Sequence, residues 1–235
     1  MFERAHHRRV AQALQALDAD VLRRHACWFG GGTALALRCG EYRESVDIDL
    51  LTADLDGYRA LRELLTGAAG VQSLARPGAF LAATRAVRAD AYGLRTALRV
   101  DGVDIKFEIV REARIALDHP GPNDQVAGIA TLTFTDLLAE KLLANADRWA
   151  DSSTFARDLI DLAMSDPPRK TLQAALTKAR GAYGDGVDRA LLQAHERLAT
   201  QPARLRESLQ ALQMTGTSPA QLLQRLKALQ RRALA

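Results

Sequence analysis

The sequence predicts an α+β protein, with a mixed sheet flanked by helices in the N-terminal half and an all-helical C-terminal half. Three observations carry this expectation. Strand-like alternation of apolar and polar residues occurs in SVDIDLL (45–51) and VDIKFEIV (103–110), both in the first half. From Thr131 onward helical periodicity dominates. Between the two regions lies a Pro/Gly-punctuated loop, HPGPN, at residues 119–123. The expected domains are 1–125 and 126–235, the second ending in a basic tail.

Residues 5–27 read as one helix with apolar positions at helical spacing. Trp28 and Phe29 form a short apolar pair ahead of Gly30, Gly31 and Gly32. Thr33 then takes the expected N-cap position before the helix-forming ALALR. After a break at Gly40 comes SVDIDLL. There, strand alternation sends Val46, Ile48 and Leu50 to the core and Asp47 and Asp49 to the opposite face. Residues 57–69 read as a helix, and residues 79–110 carry three strand-like runs ending in VDIKFEIV. In the second half, TFTDLLAEKLLANADRWA and STFARDLIDLAMS are helical, and Asp166-Pro167-Pro168 stops the latter. The remainder is helix-like, with breaks near 184–186 and 216–219. No internal repeat or low-complexity tract interrupts it.

Composition excludes several classes. Hydrophobic residues at 48% and charged residues at 26% argue against global disorder. No apolar run reaches the length of a membrane span, and the charged start MFERAHHRRV does not read as a signal peptide, so a cytoplasmic location without membrane association is expected. Cys27 and Cys39 lack metal-ligand spacing, and the five histidines are too scattered to form a metal site. The net charge of +4 is unevenly spread: residues from Arg197 onward hold seven Lys/Arg and one acid, leaving −2 in residues 1–196. Such a tail can lie along a phosphate backbone, although it lacks aromatic residues for base stacking, and a solvated helix face would have the same composition.

Two carboxylates on one strand face repel, and each raises the other's pKa unless a cation neutralises both. Mg²⁺ suits such a pair because it takes oxygen ligands and keeps waters that phosphates can replace. In VDIKFEIV, Asp104, Lys106 and Glu108 share a face. If this strand lies beside the first, Glu108 becomes a third carboxylate next to Asp47 and Asp49, as a two-ion phosphoryl-transfer site requires. A solvent-facing strand, with Asp104 and Glu108 paired to Lys106, gives the same pattern. The glycines complement this arrangement, since a Gly-rich turn before a helix N-terminus lets backbone N–H groups approach a phosphate.

A Gly-[Gly/Ser/Thr] turn, a helix, and then Asp-hydrophobic-Asp resembles the signature of the polymerase-beta-like nucleotidyltransferase superfamily. With Gly32-Thr33 as the turn pair, the gap to Asp47 is residues 34–46. More narrowly, GGTALAL followed by RESVDIDL is similar to the AbiEii/AbiGii-type nucleotidyltransferase toxins, and Lys106-Phe107-Glu108-Ile109 matches the family's K-x-E-I context. AEKLLANADRWADSSTFARDLIDL resembles a family segment in which a lysine-bearing helix leads to an R-D-x-x-D helix, with ADSSTF as an insertion. The resemblance implies a nucleotidyltransferase-fold sheet in residues 1–125 and a helical domain completing the cleft. It implies Asp47, Asp49 and Glu108 as metal ligands and catalytic carboxylates. Lys141, Asp158 and Asp161 join them, with one of the two aspartates facing the active site. Gly31, Gly32 and Thr33 would bind nucleotide phosphates with Arg43, Ser45 and Lys141. Lys141 and Arg148, seven apart on one helix face, could reach a triphosphate together.

The implied reaction is Mg²⁺-dependent transfer of NMP from an NTP, with two ions and with Mn²⁺ as an alternative, to a tRNA 3′ end or other RNA. Its setting would be toxin–antitoxin or phage defence, with a cognate antitoxin as partner. Two alternatives stand beside it: the same chemistry on an aminoglycoside-like small molecule or a protein hydroxyl, or a catalytically silent binding module.

Overall fold

Alternation in the VDIKFEIV strand decides which way the sheet faces. Ile105, Phe107 and Ile109 are buried, Asp104 and Lys106 are exposed, and Glu108 is half-buried. The computed structural model describes residues 2–234 and divides into two units. One comprises Met1–Leu37 and Val46–Thr133, the other Arg38–Ser45 and Phe134–Ala235. The division thus falls at 133/134, eight residues beyond the boundary read from the HPGPN loop, and the segment 38–45 belongs with the C-terminal helices.

The first unit contains α1 (Ala5–Ala16), α2 (Ala19–Arg24), β1 (Trp28–Gly30), the bulk of α3 (Gly31–Arg38), β2 (Ile48–Thr52), α4 (Leu55–Thr66), β3 (Arg88–Ala89), β4 (Gly93–Val100), β5 (Val103–Arg111), β6 (Gln125–Val126) and β7 (Ile129–Ala130). Five strands form a mixed sheet in the order β1-β2-β5-β4-β3, in which β2 and β5 are parallel and the other neighbours antiparallel. Helix α1 packs against β4 and α4 against β2. Phe29, Ile48, Leu50, Leu94, Phe107 and Ile109 are at the centre of the core.

Three local expectations are corrected. The single helix expected over 5–27 is two, because the Asp18 carboxylate accepts hydrogen bonds from the N–H groups of Asp20 and Val21 and so starts α2 afresh. Thr33 is not an N-cap. Gly31 adopts φ +69°, which lets α3 begin directly after β1 and leaves Thr33 buried within the first helical turn. Val46 is 45% exposed rather than in the core, since β2 begins only at Ile48; its carbonyl accepts a hydrogen bond from His6 Nε2 instead.

The second unit is built from α5 (Phe134–Arg148), α6 (Arg157–Met164), α7 (Arg169–Tyr183), α8 (Gly186–Thr200), α9 (Pro202–Ala211) and α10 (Pro219–Leu234), together with 38–45. Helix α5 packs against α6, α7 and α8, and α10 against α6, α7, α8 and α9. Asp166, at φ +46°, and the two prolines after it end α6 as the sequence predicts. Pro202 opens α9 at its first position, where a missing N–H costs nothing, so a break arises there that glycine spacing did not mark.

Leu50 is fully buried in β2 between the neighbours of both flanking strands. Leu50→Ala should lower unfolding stability by about 2–5 kcal/mol, measured by denaturant titration.

Candidate active site

A single row of residues crosses the sheet: Gly30 on β1, Asp49 on β2, Glu108 on β5, Arg95 on β4 and Arg88 on β3 are consecutive register partners. Register partners point to the same face, so Asp49 and Glu108 are neighbours on adjacent parallel strands, opposite to the buried Ile48, Leu50, Phe107 and Ile109. Asp47 lies one residue before β2, and both Asp47 and Asp49 are half-buried.

The start of α3 meets the same row. A Cβ placed on Gly31 would lie 2.3 Å from Asp49 Oδ2 and 3.0 Å from Asp49 Cβ. Only glycine tolerates both this approach and φ +69°. The Asp49 carboxylate is therefore pressed against the first residue of an eight-residue helix, whose leading N–H groups, on Gly31, Gly32 and Thr33, lack partners within the helix.

Glu108 is already neutralised in this structure. Lys106 Nζ donates to Glu108 Oε2 at 2.7 Å, and Arg95 Nε lies 3.1 Å from Oε1 while its Nη1 bridges to Asp90 at 2.7 Å. Asp104 pairs with Arg99 at 2.6 Å rather than with Lys106. Among the described residues, no three His, Cys, Asp or Glu side chains stand close enough together to hold a metal ion.

The remaining predicted residues gather in the second unit. Arg43 is buried and forks onto Asp161, with Nε to Oδ1 at 2.6 Å and Nη2 to Oδ2 at 2.9 Å. Tyr42 donates its hydroxyl to Asp161 Oδ1 at 2.7 Å. Lys141 Nζ lies 2.9 Å from Asp158 and 2.7 Å from Asp161, and Arg148 forks onto Asp158 at 2.7 and 2.9 Å. Lys141 and Arg148 do share a helix face, and what they reach together is Asp158. Ser45 is half-buried at the end of the same segment as Arg43. Sequence reasoning missed Tyr42 and Arg95. Neither belongs to a short motif, and the partner of Tyr42 is 119 residues away.

Electrostatics accounts for the burial of so many charges. Burial alone would raise the pKa of Asp158, but the Lys141 ammonium and Arg148 guanidinium more than reverse this and hold it well below the usual carboxylate range. For Asp161 burial again pushes upward, and Arg43 with Lys141 bring the carboxyl below its ordinary value. Burial raises Tyr42, and the Asp161 charge beside it raises it further, so its hydroxyl remains a donor.

Comparison with known proteins decides the family. Residues 12–230 match the family described as "Nucleotidyl transferase AbiEii toxin, Type IV TA system". The chain belongs to this family. It is thus a nucleotidyltransferase, and the toxin–antitoxin description of AbiEii proteins implies an antitoxin partner and an NTP substrate. Among solved structures, the fold is similar to a crystal structure from H. pylori that carries a provisional nucleotidyltransferase designation. The TM-score is 0.54 at 17% identity, covering 97% of this chain and 95% of the other. No curated protein matches. Among the described residues of this AbiEii member, no helix is long and apolar enough to cross a membrane.

Three outcomes are expected of this geometry. Gly31→Ala should reduce both stability and any transfer activity, since the new methyl group must displace the Asp49 carboxylate; thermal unfolding and an activity assay read the two effects. Asp161→Asn leaves Arg43 and Lys141 buried with too little negative charge and should cost about 3–5 kcal/mol in denaturant titration. The depressed pKa values of Asp158 and Asp161 imply stability that is fully present above the unfolded carboxylate value near 4 and is lost as pH falls through the folded values. Unfolding free energy measured from pH 6 downward should therefore drop below about pH 4, more shallowly in Asp161→Asn.

Proposed function

We propose that the protein transfers a nucleoside monophosphate from an NTP to an acceptor hydroxyl, with Asp47, Asp49 and Glu108 as the carboxylates that hold Mg²⁺. One observation carries the reading: Asp49 and Glu108 are register partners on adjacent strands, directly beside the glycine that opens α3. The donor set offers only carboxylate oxygens, which a hard divalent cation prefers, and Glu108 would have to exchange its pairs with Lys106 and Arg95 for the ion, with Asp47 and Asp49 drawing closer to it. Bound Mg²⁺ would neutralise charge on the phosphates and on the attacking oxygen.

The chain's own groups have distinct parts. The N–H groups of Gly31, Gly32 and Thr33 offer a phosphate the positive end of α3. Asp49, pressed against Gly31, is oriented before substrate arrives, which is the positioning on which phosphoryl transfer depends. For Arg43, Lys141, Asp158 and Asp161, the part in this reaction rests on the family resemblance. Their charges are met inside the second unit, so Arg43 or Lys141 would have to exchange a carboxylate for a phosphate oxygen before touching a nucleotide. The acceptor in this reading is a tRNA 3′ end, the class implied by the family resemblance and compatible with the arginine-rich tail.

Incubation of purified protein with Mg²⁺, each labelled NTP in turn and total tRNA should label the tRNA, with the modified end read by mass spectrometry. Asp49→Ala should cut transfer by more than about 100-fold with the circular dichroism spectrum unchanged, since even loss of groups behind metal ligands costs 10–100-fold. Labelling of a small molecule or protein but not of tRNA would overturn the acceptor; transfer undiminished in Asp49→Ala would overturn the site.

A further inference from the structure

Helix α10 contains no Asp or Glu, and its buried stripe is Leu222, Leu226, Leu229 and Ala233. Another stripe of the same helix, with Gln221, Gln224, Arg225, Arg231 and Arg232, lines a pocket of about 500 Å³ in the second unit. The single carboxylate lining the pocket is Asp166, at the left-handed turn that ends α6. Arg225 pairs with it, and Arg232 Nη1 donates to its Oδ1 at 2.5 Å and to the Pro167 carbonyl at 3.1 Å. Three arginines and one carboxylate thus line the pocket, two of the arginines paired with that carboxylate, a local excess of two positive charges. Gln173 Nε2 donates to the carbonyls of Arg232 (2.7 Å) and Ala233 (3.1 Å), fixing the end of the helix that carries these arginines.

The ion pairs orient Arg225 and Arg232 without exhausting them. A guanidinium carries five N–H donors, and Arg232 spends one nitrogen on Asp166 and Pro167. Asp166, held below the usual carboxylate range by the hydrogen bond from Arg232, stays anionic at neutral pH and acts as a fixed brace. Arg231 is exposed on the same stripe. Fixed, planar guanidinium forks with glutamine amides beside them match phosphate oxygens, and the volume lies within the range that holds a small ligand.

We propose that the α10 pocket is a phosphate-binding site, built from Arg225, Arg231 and Arg232 braced by Asp166, that takes phosphate oxyanions carried on a polynucleotide backbone or on a free nucleotide. It lies in the second unit, whereas Asp47, Asp49 and Glu108 are in the first, and it does not depend on the proposed transfer reaction. Three of the seven Lys/Arg of the C-terminal tail are thereby gathered into a defined place on one helix.

The test uses the full chain without NTP or metal and two probes: a fluorescent single-stranded RNA of about a dozen nucleotides, and inorganic triphosphate. Arg231→Gln and the double variant Arg225→Gln/Arg231→Gln are compared with Lys227→Gln, an exposed cation of the same helix outside the pocket. Circular dichroism checks folding, and the single variant leaves the Asp166 pairs intact. The double variant should weaken binding by about 10-fold at low salt and reduce the salt slope by about 0.7 for each RNA phosphate no longer neutralised. Lys227→Gln should change affinity by less than about 2-fold, as expected of a diffuse charge. Loss for RNA alone identifies the backbone as the source, and loss for triphosphate identifies a free polyphosphate such as that of a nucleotide. The proposal is overturned if the wild type binds neither probe, if the pocket variants bind as the wild type does, or if Lys227→Gln loses as much as Arg231→Gln.

Discussion

The site depends on the approach of the Asp49 carboxylate to Gly31. With Oδ2 2.3 Å from where a Cβ would stand, no other residue can occupy position 31 without moving the strand or the carboxylate. The same glycine, by accepting φ +69°, turns β1 straight into α3 and spares the chain a capping residue. One missing side chain thus fixes three things at once: where the helix begins, how near its N–H groups come to β2, and which way Asp49 faces. The register with Glu108 follows from the parallel pairing of β2 and β5, which the buried Ile48, Leu50, Phe107 and Ile109 enforce, because a one-residue slip would turn all of them to the opposite face.

The second unit answers a different constraint, the cost of burying charge. Asp161 is inaccessible, and Asp158 and Lys141 nearly so, yet each has its complement within hydrogen-bonding distance. Two carboxylates facing Arg43, Lys141 and Arg148 form a chain of bonds rather than isolated pairs, and burial makes each member intolerant of losing its neighbour. Such a network contributes specificity of packing as much as stability. It ties α5, α6 and the segment 38–45 to one another.

Much of the first unit was legible in the sequence because strand alternation is a local signal. VDIKFEIV and the IDL of SVDIDLL could be assigned to faces residue by residue. Val46 escaped this reading because alternation says nothing about where pairing starts. Thr33 escaped it because residue type favours a cap where glycine geometry made one unnecessary. The ion-pair partners were illegible for a more basic reason. Nothing near Arg43 indicates Asp161, and RDLID looks equally like a surface helix with an Arg157–Asp161 pair. Lys141 and Arg148 share a face, as their spacing predicts, but spacing on one helix cannot tell whether that face meets solvent, a nucleotide or Asp158.

The segment 38–45 leaves the first unit at Leu37 and the chain returns at Val46, so the second unit is assembled from two stretches of sequence. Arg43 must wait for Asp161, 118 positions later. During synthesis, the strands β1 and β2 that bracket this segment can pair long before its partners leave the ribosome, and the intervening residues then form a closed loop with an unsatisfied arginine. The two units are therefore not autonomous in the order of translation. A nascent chain halted after Thr133 holds every strand of the sheet yet carries a piece of the helical unit that only the last hundred residues can complete.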